Sequence, residues 1–230
     1  MLTVISIISI GIGILQGIYI TIDVIRHPQQ MMSIMNIVWP LIGLYFPIIG
    51  IIAYEKLGKN KTSSSKQKEE SQSSGHEHVH EEKPFWQSVF VSTTHCSSGC
   101  SLGDIAGLPI VVLTGFTIGG VMLFGEFLVQ FILAYLFGIA FQYYGMSLHP
   151  DESFKKGIIN AIKADTLALI AFEIGMFGWM ALVHFVFFTQ PPEPTTATYW
   201  FMMQLAMMLG FCTSYPANWL LVKKGVKHAM

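Results

Sequence analysis

Long charge-free apolar runs, separated by short charged patches, set the pattern of this chain. The runs extend from Met1 to Ile22, His27 to Tyr54, Ile105 to Gly125, Phe127 to Pro150, Ile174 to Pro192 and Thr195 to Val222. A helix of about 20 apolar residues crosses a hydrocarbon core, so the pattern predicts an all-α, polytopic transmembrane bundle of about six helices. The expected helices cover Leu2–Val24, Ser33–Tyr54, the mid-nineties to Ile118, Val121–Tyr144, Ile158–Phe188 and Tyr199–Val222. Pro28 marks the first turn, Gly119-Gly120 the turn between the third and fourth helices, and Pro191-Pro192 the end of the fifth. Pro40 and Pro47 fall inside the second helix, where proline is tolerated in lipid and marks kinks. The first segment has neither the basic start nor the small-residue cleavage site of a secretory signal and reads as a retained helix.

Residues 55–84 differ in kind. They are rich in Lys, Ser, Glu and His with almost no large apolar residue, a composition that cannot offset its own ordering entropy and reads as a flexible hydrophilic linker. The chain thus divides into two N-terminal helices (1–54), a linker (55–84) and a four-helix unit (85–230). Six lysines fall in the linker region (Lys56, Lys59, Lys61, Lys66, Lys68 and Lys83), three near the start of the fifth helix (Lys155, Lys156 and Lys163) and three in the tail (Lys223, Lys224 and Lys227). With six spans these groups share one face and only Arg26 lies on the other, so the positive-inside rule places both termini and the linker in the cytoplasm of a cell-membrane protein. A five-span alternative, with 85–145 as one long helix and a re-entrant piece, splits the lysines between the two faces.

Composition narrows the function. Only 12% of residues are charged, against about a quarter in a soluble domain, so lipid is the partner the chain requires. A homo-oligomer or a larger membrane complex is an open expectation. A net charge of −1 offers no basic field for nucleic acid. Three cysteines are an odd number without a disulfide-rich composition. No phosphate-binding glycine loop, zinc-helix motif or hydrolase elbow is present, so no enzyme class is indicated.

Chemistry-bearing residues concentrate in three places. His95, Cys96, Cys100 and Asp104 open the third helix, the last three at helical spacings of four. Thiolates with an imidazole suit copper or zinc; the alternative is that these small residues, with Gly99, Gly103 and Gly107, allow close helix packing. On the fifth helix Glu173, Met176, Met180 and His184 share one face, and an ionised carboxylate belongs inside the bundle. With Glu126 they outline an intramembrane polar path. Asp165 reads as a paired surface charge at the inner end. Gln204, Met208 and Cys212 form a further stripe among thirteen methionines. In the linker His76, His78 and His80 alternate, as in short tracts that capture metal.

The motifs from Thr94-His95-Cys96 through Gly103-Asp104, Gly138-Ile139-Ala140-Phe141-Gln142-Tyr143 and Lys163-Ala164-Asp165-Thr166-Leu167 resemble those of the DUF4396 family of small prokaryotic membrane proteins. The resemblance continues through Phe172-Glu173 to Met180, Trp200 to Gln204 and Thr213 to Trp219, and covers roughly Trp86 to the C-terminus. It implies a membrane bundle, brings no activity to transfer, and leans the metal expectation towards copper. Three functions follow as expectations: a metal-binding or metal-transporting membrane protein, a structural or assembly subunit, and a thiol redox protein.

Overall fold

The computed structural model describes residues 1–28, 33–59, 84–145 and 154–227. The linker histidines His76, His78 and His80 lie outside the described residues. Seven α-helices form, with no strand among the described residues: α1 (Leu2–Arg26), α2 (Met35–Tyr45), α3 (Ile49–Ala53), α4 (Phe85–Thr114), α5 (Met122–Gly145), α6 (Phe154–Leu182) and α7 (Ala197–Lys223). A wider π-helical turn extends α3 over Tyr54–Gly58 and α6 over Val183–Phe187. Five helices, α1 and α4 to α7, are long and apolar enough to cross a membrane. Their outer faces carry exposed side chains such as Ile8, Leu15, Leu136, Ile174 and Leu209, as a lipid-facing surface requires.

The second apolar run departs from the expected single span. Along α1, Gly13 and Gly17 face Leu44 and Pro40, while the other end of α1, at Asp23, meets Tyr54 and Lys59. Both open ends of the α2–α3 pair therefore lie beside Arg26, and the chain turns back at 46–48, level with Gln16 in the middle of α1. This is a re-entrant hairpin, not a crossing. Its tip is fixed by glutamines: Gln16 Nε2 donates to the carbonyls of Gly43 and Phe46 (2.6 Å to the latter), and Gln16 Oε1 accepts from the Ile48 N–H at 3.0 Å. Gln204 on α7 donates to the Leu44 carbonyl at 2.8 Å and accepts from Ser9 at 2.9 Å. Ile48 has φ of 68°, strained for a β-branched residue. Irregular backbone at membrane depth persists only where protein satisfies its polar groups, and these two side chains do so.

The remaining helices alternate in direction. Small residues let α4 and α5 touch along their length: a Cβ on Gly99 would meet Gly138 Cα at 2.8 Å, and Gly103 lies directly against the Ala134 backbone. Lipid offers no hydrophobic drive between helices, so such close contact is what holds them. On the other side α6 and α7 interlock through Gly175 and Gly210, with Thr213 Oγ1 donating to the Ala171 carbonyl at 2.7 Å.

Two boundaries differ from those expected. The third long helix begins at Phe85 rather than in the mid-nineties, because its Ser-, Thr- and Cys-rich stretch 91–101 is buried on every side and is bundle interior rather than interface. It ends at Gly115 in a left-handed cap, and Gly119 and Gly120, both at positive φ, form the turn where it was expected. The hairpin leaves the start of α1 and the end of α7 at opposite ends of the molecule, where six spans would bring them to the same end. Every Lys and Arg side chain among the described residues then falls at one end, Arg26 included.

Candidate functional site

Buried polar groups run through the bundle in three tiers. The inner tier lies at the basic end. After α7, Gly225 at φ 68° turns the chain back, and the N–H groups of Val226 and Lys227 return to the Leu221 carbonyl. Lys227 is thereby folded inside: its ammonium donates to Asp165 Oδ1 at 2.8 Å and Asn218 Oδ1 at 2.9 Å, and its side chain has no exposed surface. Burial alone would favour the neutral amine, but the Asp165 carboxylate outweighs it and holds Lys227 above the ordinary lysine range. Asp165 is therefore a buried ion pair rather than the surface charge expected, with its second oxygen lacking any protein partner. His95 lies nearby, within electrostatic reach of Lys227 and Asp165. It is packed under Gly145 and against the Phe141 ring. Neither ring nitrogen meets the distance and angle of a hydrogen bond, although the Phe141 backbone is near enough to interact with the ring.

The middle tier sits beside the hairpin. Helical spacing of four puts Cys96, Cys100 and Asp104 on one stripe of α4, with the two thiols within electrostatic reach of each other. Both are free and buried. Tyr45 at the end of α2 shares a hydrogen bond with Ser97 at 3.0 Å, and Ser98 lies 3.4 Å from the Val38 carbonyl. Asp104 on α4 and Glu173 on α6 are within electrostatic reach of each other. They are 0% and 2% exposed, and none of their four carboxylate oxygens has a hydrogen-bond partner in the protein. Met176 packs beside them in the hydrophobic core.

The outer tier begins at Tyr199, which is in electrostatic reach of Asp104 and donates to Glu126 Oε2 at 2.9 Å. Beyond it a cavity of about 180 Å³ opens at the end away from the lysines, lined by Glu126, Met180, His184, Glu193 and Tyr199 among others.

The residues nominated from sequence are thus distributed rather than gathered. His95 belongs to the inner tier, Cys96, Cys100, Asp104, Glu173 and Met176 to the middle one, and Glu126, Met180 and His184 to the outer cavity. Among the described residues no three His, Cys, Asp or Glu side chains converge as a metal-holding set, so the expected quartet of His95, Cys96, Cys100 and Asp104 is not assembled at one point. Cys212 faces outwards and is exposed. Sequence reasoning missed Gln16, Tyr45, Asn218 and Lys227. Gln16 carried a usable signal, being an amide in the middle of an apolar span; Lys227 carried none.

A family model described as "Domain of unknown function (DUF4396)" matches residues 85–227, which hold α4 to α7 and all three tiers. No curated protein and no solved structure matches the chain.

Proposed function

Because this chain belongs to the DUF4396 family, whose description assigns no activity, we propose from its own residues that it moves protons across the membrane through Asp104 and Glu173. The observation that carries this is two carboxyl groups within electrostatic reach of each other, buried in the bundle with no protein partner on any oxygen. Two negative charges cannot be held there together, since each uncompensated charge inside a membrane costs at least several kcal/mol. Among the described residues the basic side chains lie at one end, and the buried Lys227 is committed to Asp165. Charge balance in the middle tier therefore depends on protons or cations arriving along the path, and carboxyl pairs of this kind titrate as a unit. The step is a relay through an intervening water, since no hydrogen bond joins the two groups: one carboxyl gives its proton to the water as the water gives one to the other carboxylate. His95 and Asp165 lead to the pair from one end, and Tyr199 with Glu126 from the other. By the positive-inside rule the basic end is cytoplasmic, which places the start of α1 outside and the end of α7 inside.

Purified protein in liposomes, with an imposed membrane potential and a trapped pH-sensitive dye, tests the proposal. Wild type is expected to pass protons faster than empty vesicles, Asp104→Asn and Glu173→Gln to fall to background, and the outward-facing Cys212→Ser to behave as wild type. Wild-type flux equal to that of empty vesicles would overturn it.

A second reading, copper or zinc as cargo, is favoured by the free, buried Cys96 and Cys100 thiols one helical turn apart on α4, a soft donor pair. It requires His95 or Asp104 to swing towards them.

A further inference from the structure

The cavity at the outer end has a chemistry of its own. Glu126 is only 4% exposed, yet it borders the cavity and makes one hydrogen bond, from Tyr199 to Oε2. Its Oε1 has no partner in the protein. Glu193, exposed at the rim, adds a second carboxylate, and no Lys or Arg among the described residues lies at this end. An anionic ligand is therefore disfavoured, and a cation has an acceptor waiting in a largely desolvated position.

The rest of the lining selects among cations. Leu123, Met180, Val183 and Pro192 form apolar walls, which a bare hydrated ion cannot use. His184, Glu126 and Glu193 do not converge as metal ligands. Tyr199 is the single Phe, Tyr or Trp ring among the described lining residues, too few for the cage that captures a quaternary ammonium. A primary ammonium fits better, because it has three N–H groups to give to Glu126 and its polar neighbours and its carbon chain can lie along the apolar wall. The volume, about 180 Å³, limits the ligand to a short chain. We propose that this cavity binds a small primary amine, in its ammonium form, from the outer side of the membrane.

The site stands whether or not protons cross at Asp104, and its test is separable from that reading. Calorimetric titration of the full-length protein in mild detergent would use n-butylammonium chloride, with 1-butanol as the neutral match in shape and KCl as the inorganic cation. Saturable one-to-one binding of butylammonium is expected, with at least tenfold weaker binding of butanol and of K⁺. Glu126→Gln should lower butylammonium affinity at least tenfold, while Cys212→Ser, at an exposed cysteine outside the cavity, should bind as wild type. Val183→Phe fills the cavity without touching the carboxylate and should also abolish binding, so the test survives if Glu126→Gln does not fold. No saturable binding by wild type, equal binding of butanol, or unchanged binding in both cavity variants would each overturn the proposal.

Discussion

Replacing Gln16 by leucine removes the main clamp on the re-entrant hairpin while keeping the size and apolar character of α1. The change leaves the Gly43 and Phe46 carbonyls and the Ile48 N–H without their partner. Each buried group so orphaned costs about 1–3 kcal/mol, and the tip lies halfway along α1, where bulk water cannot replace the amide. Partial relaxation of the tip reduces the sum, giving an expected loss of roughly 3–5 kcal/mol. At about 2–4 °C per kcal/mol for a chain of this size, Tm should fall by roughly 6–20 °C, measured by tryptophan fluorescence in mild detergent. Ile14→Leu, on the exposed face of the same helix, serves as the control and should change stability by less than about 0.5 kcal/mol. A Gln16→Leu protein that melts within about 2 °C of wild type, under 1 kcal/mol on the same scale, would refute the clamp and with it the hairpin.

Three further outcomes follow from the same geometry. Gly103→Ala pushes a methyl group into the Ala134 backbone and should destabilise the protein by about 1–3 kcal/mol, read as a lower Tm, whereas Gly178→Ala, with open space around it, should not. Lys227→Met strands Asp165 as an uncompensated buried charge and should cost about 3–5 kcal/mol; adding Asp165→Asn should recover most of that loss, and a double variant no more stable than the single would count against a buried ion pair. Metal analysis of protein purified without chelator should find no stoichiometric copper or zinc, while bound metal that disappears in Cys96→Ser/Cys100→Ser would establish the cargo reading instead.

The membrane bundle was legible because apolar run length is a direct physical requirement of crossing lipid. The same criterion could not separate a crossing from a hairpin: residues 27–54 have the length and hydropathy of a span, and only the prolines and the distant Gln16 hinted at a reversal. The hairpin also sets the start of α1 and the end of α7 at opposite ends of the bundle and brings Arg26 to the same end as the described lysines. In the candidate site, placing Glu173 inside the bundle followed from the cost of a carboxylate in lipid, and helical spacing aligned Cys96, Cys100 and Asp104. Spacing along one helix could not show that Glu173 of α6 comes within electrostatic reach of Asp104, or that His95 turns away towards α5. The Asp165–Lys227 pair was out of reach for the same reason, because 62 residues separate its members and the tail turn that buries Lys227 has no apolar pattern to announce it.

The central claim is that Asp104 and Glu173 exchange a proton with the surrounding water, and infrared difference spectroscopy of the carboxyl stretch measures this most directly. In wild-type protein reconstituted in lipid, a protonated-carboxyl band should rise and fall as pH is changed, shift on transfer to D₂O, and vanish in both Asp104→Asn and Glu173→Gln. A band that ignores pH and resists deuterium exchange, or one that survives both substitutions, would contradict the account.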